Sequence, residues 1–271
     1  MSGAISSEQV RRAQEYLRRY GYLSGVGCSL FQAFGIDRRA AAGSAGTRRL
    51  LRDHAGQMGQ CTEAALRRLQ EFSGLYPTGR LDEDTLHLMS LPRCGVPDAL
   101  RYVVTGLRWD HTDLTYCFGE MTMQLFPQLV RDAVQEALNT WARVSTVRFQ
   151  ETELPDHADI VFRFARGTHG PCPVSFDGHG GDLAHAFPPP PRDGALAGDV
   201  HFDDAEHWVS DSTATGSGTV DLVTIAIHEI GHSLGLDHTS VPGRVMYHSY
   251  QGAKRDLDAD DIAGIRHLYG V

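Results

Sequence analysis

The chain has no run approaching the roughly 20 apolar residues that a membrane-spanning helix needs. Its first residues, MSGAISSEQV, lack the basic and apolar regions of a secretory leader. It also lacks an excess of basic side chains. Lys and Arg number 25 against 34 Asp and Glu, a net charge of −9. That sign argues against nucleic acid or an anionic membrane as partner. Cysteine is scarce: Cys28, Cys61, Cys94, Cys117 and Cys172 make an odd set of 5, so an oxidising setting would leave a thiol unpaired. Cys28 with Cys61 and Cys117 with Cys172 are among the candidate pairs, and spacing does not choose between them. What is present is ordinary for a globular protein: 271 residues, 41% hydrophobic and 22% charged, enough for one large folded unit or two modest ones.

Hydrophobic periodicity divides the chain. Residues 7–20 read as an amphipathic helix with Val10, Ala13 and Leu17 inward, Ser7 as N-cap and Gly21 as stop. Residues 24–60 show no period and read as a loop. Helices over 62–73 (Leu66, Leu69 and Phe72 inward) and 83–90 (Leu86 and Met89 inward) flank a turn at Pro77-Thr78-Gly79. Together these predict a small three-helix unit. Further on, strands and helices mix in an α+β order. Strands are expected at 114–118, 146–149 and 160–164, with a helix over 129–144 presenting Val130, Ala133, Val134, Ala137 and Trp141 on one face. Residues 183–187 alternate as a strand, 220–234 read as a helix, and a last helix follows Asp258 with Ile262, Ile265 and Leu268 or Tyr269 inward.

The stretch HEIGHSLGLDH, residues 228–238, carries chemistry. His228 and His232 are one helical turn apart and share a face, so both can bind one ion. Gly235 lets the chain leave the helix in a turn that a Cβ resists, and the turn brings back His238. Three imidazoles suit zinc and leave a fourth position for water, as in a catalytic site. Glu229 is placed to take a proton from that water. Histidine pairs at this spacing are usually accidental in a chain with 14 His. Three His, a Glu and a Gly at fixed offsets arise by chance in roughly one of several thousand such chains.

Upstream lies PRCGVPD, residues 92–98, where two prolines and a glycine forbid a regular helix or central strand. An extended segment with Cys94 at its centre is a linker in most contexts. Before a three-histidine site it has a second reading, because a thiolate can fill the open zinc position and silence the enzyme. Two acidic runs, DGHGGD at 177–182 and HFDDAE at 201–206, offer the carboxylates and bare carbonyls that calcium prefers.

Together these motifs resemble the matrix metalloproteinases, a family of metzincin peptidases. HEIGHSLGLDH fits their extended zinc signature, and PRCGVPD matches their cysteine-switch motif throughout. Met246 stands eight residues after His238, where the family has its methionine turn. GLYPTGRLDEDTLHLM resembles their propeptide, whose fold is like a peptidoglycan-binding module. The resemblance implies an inhibitory propeptide over 1–98 and a zinc endopeptidase domain over 99–271, with a mixed, mostly parallel five-stranded twisted sheet and three helices.

The same resemblance implies site residues. Cys94 would cap the catalytic zinc in the latent form, with Arg93 and Asp98 paired to shape its loop. His169, His185 and His201 match ligands of a structural zinc. The family's fourth ligand, an Asp, falls at Pro171; the adjacent Cys172 is a soft ligand zinc accepts. Asp177, Gly178, Gly180, Asp182, Asp203 and Glu206 match a calcium site, and Asp159 and Asp199 match carboxylates of a second. Leu183 and Ala184 lie on the edge strand that pairs with substrate. Thr224, Ile225, Tyr247 and Tyr250, with His248 where the family usually has Pro, fall near the pocket for the residue after the scissile bond. The small Thr224 implies a deep pocket for a large apolar residue.

Implied partners are protein or peptide substrates and tissue inhibitors of metalloproteinases, for a monomer acting in the extracellular matrix. That setting conflicts with the missing leader. No Arg-x-Lys/Arg-Arg site lies between Cys94 and Trp109, so a furin-like activator is not indicated. The sequence stops after the last expected helix, as in the family's minimal form without a hemopexin-like domain. A rival reading is a catalytically silent, zinc- and calcium-stabilised binding protein with an N-terminal carbohydrate-binding-like module. Glu229, useless in a purely structural site, argues against it.

Overall fold

The computed structural model describes residues 5–23, 53–98, 107–214 and 216–271, with the backbone alone at 28–29 and 50–51. Most of the loop expected over 24–60, the Cys28 side chain and residues 99–106 lie outside the described residues. The chain forms two units, one of Met1–Ser90, Pro97–Val103 and Ser240–Pro242, the other of Leu91–Val96, Val104–Thr239 and Gly243–Val271.

In the first unit, helix α1 (Ser7–Arg19) buries Val10, Ala13 and Leu17. Its N-cap is Ser6, not Ser7: Gln9 and Ser6 exchange a capping box that satisfies donors at the helix start. Strands β1 (Cys28–Ser29) and β2 (Leu50–Leu51) pair antiparallel within the stretch expected as loop. Helix α2 (Gln60–Phe72) buries Leu66 and Leu69, while Phe72 is only half-buried. Helix α3 (Glu83–Leu88) buries Thr85 and Leu88 and leaves Leu86 and Met89 half-buried, because Asp82 caps it at Thr85 and so sets which face turns inward. Two buried amides knit the unit. Gln14 joins Gln57 O, Thr62 and Gly56 N, and Gln70 joins Thr78, Arg80 O and Gly79 N. Cys61 is held in a disulfide.

The second unit is built on a six-stranded sheet. Its strands are β3 (Arg93–Cys94), β4 (Asp113–Phe118), β5 (Arg148–Glu151), β6 (Ile160–Ala165), β7 (Asp182–Ala186) and β8 (Val200–Asp203), in the order β3-β7-β8-β6-β4-β5. Only β7 and β8 run antiparallel. The five expected strands are present, and β3, from the segment around Cys94, is added at the β7 edge. Helix α4 (Pro127–Ala142) begins earlier than expected because Pro127 suits the first turn. Its predicted face, Val130 to Trp141, is buried. Two short strands, β9 (Trp208–Val209) and β10 (Val220–Asp221), pair parallel ahead of helix α5 (Leu222–Ser233). Helix α6 (Ala259–Tyr269) is capped by Asp258 and buries Ile265, Leu268 and Tyr269, leaving Ile262 half-buried. No described helix is long and apolar enough to cross a membrane. Cys117 and Cys172 are both free thiols, so the pairing considered for them does not form. Cys117 sits on β4, whereas Cys172 has turned toward histidines.

Candidate metal centres and peptidase site

Helix α5 is buried on every side, which holds its polar groups at fixed depth. Asp221 caps it, accepting from Thr224 N at 3.1 Å and Thr224 Oγ1 at 2.6 Å, and pairs with Arg255 at 2.6 Å. The helix ends in a Schellman turn: Gly235 N donates to His232 O and Leu236 N to Gly231 O, each at 2.9 Å. Gly235 takes φ 101°, and a Cβ there would strike Leu107 O. The turn expected at this glycine is therefore present for the expected steric reason.

That turn places His238 Nε2 at 3.2 Å from His228 Nε2, which is itself 3.1 Å from His232 Nε2. The outer nitrogens fix the tautomers, because a carbonyl can only accept. His228 Nδ1 donates to Val245 O at 2.7 Å and His232 Nδ1 to Leu236 O at 2.8 Å. Both Nε2 lone pairs then face each other, an arrangement repulsive without a cation and the usual second contact of metal-binding imidazoles. These residues fit a zinc ion. Glu229 is fully buried beside them. Met246 is buried beneath them, where a Cβ on Gly231 would strike its sulfur.

Cys94 joins this cluster. Its Sγ and the nitrogens of His228, His232 and His238 all lie within 4.8 Å of one another. Burial pushes the Cys94 thiol well up, and the Glu229 carboxylate, charged and hydrogen-bonded to it, pushes it further. Protein groups alone thus favour the thiol; a cation at the imidazoles inverts that preference. The segment is held on both sides by main chain. Arg93 N donates to Gly181 O (3.0 Å), Gly95 N to Ala184 O (2.8 Å), Cys94 N to His248 O (3.0 Å), and Tyr250 N to Pro92 O (2.9 Å). Arg93 is buried and its Nε donates to Cys94 O; Asp98 accepts from Tyr22 at 2.8 Å.

A cavity of about 320 Å³ opens beside His228. Thr224, Ile225, Tyr247 and Tyr250 line it, together with Val245 and Lys254. Lys254 escaped sequence reading because it meets the wall from 30 residues away, where its backbone N–H donates to Thr224 Oγ1. Leu183 and Ala184 are fully buried on β7.

A second cluster joins His169, Cys172, His185 and His201, again within 4.8 Å of one another. His201 is almost wholly buried, and that burial drives its pKa down to about 3, which keeps the imidazole neutral. Asp199, 3.9 Å from His201 Nε2, is pushed up to about 7 by burial.

The acidic residues assigned to calcium are arranged differently. Asp203 accepts from Gly178 N at 3.1 Å and Glu206 from Gly180 N at 2.7 Å, while Asp177 accepts from Asp182 N at 2.9 Å. Burial pushes the Asp203 and Glu206 carboxyls up. Asp159 accepts from Thr115 and Asp199 from Val161 N. Among the described residues, none of these acids belongs to a convergent cluster of three or more side-chain donors.

Three convergent imidazoles on and after a buried helix, with a carboxylate beside them, form the donor set of a metal-dependent hydrolytic site. Comparison makes this specific. The matrixin peptidase profile matches residues 108–270 and a peptidoglycan binding domain profile matches 45–89. The chain belongs to the matrixin family, whose members depend on zinc. It is 45% identical over 210 residues to the hatching enzyme of Paracentrotus lividus, covering 76% of this chain and 34% of that protein. It is 42% identical to the interstitial collagenase of Equus caballus (76% and 42% covered) and 42% identical to matrilysin of Rattus norvegicus (76% and 75%). The chain thus spans only 34% to 42% of the length of the first relatives it matches, and three-quarters of matrilysin.

Proposed function

We propose that this chain is a latent zinc-dependent endopeptidase that hydrolyses internal peptide bonds of extracellular proteins. Residues 1–98 act as its inhibitory propeptide and 99–271 as its catalytic domain. The observation that carries the reading is the convergence of the Cys94 thiol with His228, His232 and His238 beside Glu229.

His228, His232 and His238 would hold the zinc, which when bound polarises the scissile carbonyl and lowers the pKa of water. Glu229 takes the proton from the attacking water and passes it to the leaving nitrogen. The substrate backbone lies along β7 in place of residues 92–95, using Ala184 O, His248 O and Tyr250 N, which now bond that segment. Its next side chain enters the cavity beside His228, whose volume suits a large apolar residue. Arg93 and Asp98 each help to shape the switch loop, and Met246 supports the histidines.

His169, His185 and His201 hold a second, structural zinc. Asp177, Gly178, Gly180, Asp182, Asp203 and Glu206 surround a calcium ion, with the two glycines offering carbonyls; Asp159 and Asp199 contribute to another. Tissue inhibitors of metalloproteinases would compete for the substrate edge.

The test is treatment of the full chain with a thiol-capturing mercurial. Peptidase activity should rise from near zero and the chain should shorten to residues from about 100 onward. A chain already active before treatment, or inert after it with zinc present, would sink the proposal.

A further inference from the structure

We propose that Cys172, as a thiolate, is the fourth ligand of the second zinc, closing a site of three imidazoles and one sulfur. This deepens the assignment of His169, His185 and His201 above and is independent of whether Cys94 acts as a latch.

The geometry is that of a contracted tetrahedron. His169 Nε2 lies 3.0 Å from His201 Nδ1, which lies 3.2 Å from His185 Nε2, and Cys172 Sγ lies 3.2 Å from that same His185 nitrogen. Zinc–nitrogen bonds near 2.0–2.1 Å and zinc–sulfur bonds near 2.3 Å put tetrahedral donors about 3.3–3.7 Å apart. Hydrogen bonding alone does not account for the cluster. His169 Nδ1 donates to Gly167 O at 2.8 Å, so its Nε2 brings a lone pair. His201 Nδ1 faces two other ring nitrogens and has at most one proton to share between them.

The local chain is shaped to deliver the sulfur. Gly167 and Gly170, at φ 52° and 48°, bend the loop, and Cys172 N donates to His169 O at 3.2 Å, closing a turn that sets the two side chains together. The His169 ring stacks on Phe176 at 5.0 Å, which fixes its direction. Pro171, next in line, has no donor atom to offer. The competing explanation is that a protonated Cys172 donates to Val174 O, 3.3 Å away. A thiol is a weak donor, and that contact leaves the convergence of three imidazoles unexplained.

A thiolate carries the same single negative charge as a carboxylate but is a softer ligand. The site should therefore take zinc, cobalt or cadmium and reject calcium and magnesium. With four protein ligands it has no open position for water.

The test uses the full chain carrying Cys94→Ser and Glu229→Ala, which removes the other thiol near a metal centre and prevents self-cleavage. Loaded with cobalt, it should show a thiolate-to-cobalt charge-transfer band. Adding Cys172→Ser should abolish the band. It should also release one zinc equivalent to a competing chelator, weakening that site by more than the 10–100-fold typical of losing an outer contact. Replacing Pro171→Asp together with Cys172→Ser should restore the second zinc without the band, which separates lost ligation from misfolding. A band surviving Cys172→Ser, or an unchanged second zinc, overturns the proposal. So does a parent protein that fills only the three-histidine centre. A protein filling only the second site would instead overturn the peptidase reading and leave this one standing.

Discussion

The two clusters contain the same donors, three histidines and one cysteine, yet the chain assembles them in opposite ways. Around His169, Cys172, His185 and His201 every donor comes from one loop and the two strands after it. The cysteine is reached by a turn of a few residues. Around His228, His232 and His238 the histidines sit on a buried helix and its exit turn, while the sulfur arrives from a separate strand, β3. The helix cluster has the Glu229 carboxylate beside its donors; the loop cluster has Asp199, 3.9 Å from the outer nitrogen of His201. A sulfur supplied locally cannot leave without unfolding its loop; one supplied by a remote strand can. On the function proposed above, identical ligands would make a permanent fastening in one place and a removable one in the other.

The largest effect should come from Glu229→Ala in the activated enzyme. It should lower kcat/KM by about 10²–10⁴-fold, the usual worth of a general base, while both metals remain by elemental analysis. Retained turnover would erase the functional contrast between the clusters. Cys94→Ser should bring the untreated chain to the activity of the mercurial-treated one in a peptide assay, with no loss of metal. The equivalent change at Cys172 should cost metal and give no activation.

Asp221→Ala removes a helix cap and one of the two carboxylates at Arg255, whose side chain is only 24% exposed and keeps Glu136 and Ser210 O as partners. A destabilisation of about 1–3 kcal/mol in urea unfolding is expected, from the lost cap and the lost charge-assisted bond. Gly235→Ala should cost about 1–3 kcal/mol for a side chain forced to positive φ. It should also weaken the catalytic metal more than the second one in chelator competition, because it displaces Leu236 O and His238. The smallest effect concerns His111, whose pKa is raised by its hydrogen bond to Asp110 and by Asp159. The folded chain holds that proton more tightly, so the contribution is present below the ordinary imidazole range and fades as pH rises through the raised value. The difference in Tm between the wild type and His111→Ala should shrink accordingly.

Local features were legible. The helical spacing of His228 and His232, the glycine exit and the buried face of α4 follow from periodicity and steric rules, which act within one or two turns. Ser6 was missed as a cap because Ser7 is chemically equal and only the Gln9 contact decides. What was not legible depends on residues far apart in sequence. The Asp221–Arg255 pair, the buried amides of Gln14 and Gln70, and the strand pairing at Arg93–Cys94 leave no periodic trace. Cysteine spacing left the pairing of Cys117 and Cys172 open; the fold sends one to β4 and the other to the histidines. The carboxylates of Asp203 and Glu206 also accept from Gly178 N and Gly180 N, contacts that leave no mark in the sequence.

The main-chain bonds on both sides of residues 92–95 carry a kinetic consequence. They join backbone atoms and are indifferent to the state of the sulfur. Capturing the Cys94 thiol therefore removes one attachment and leaves the bonds at Gly181, Ala184, His248 and Tyr250. The segment must then peel away as a strand leaves a sheet, cooperatively and against a barrier. Activity should appear after a lag rather than in step with thiol capture, and the lag should shorten with temperature even when the capturing reagent is in excess.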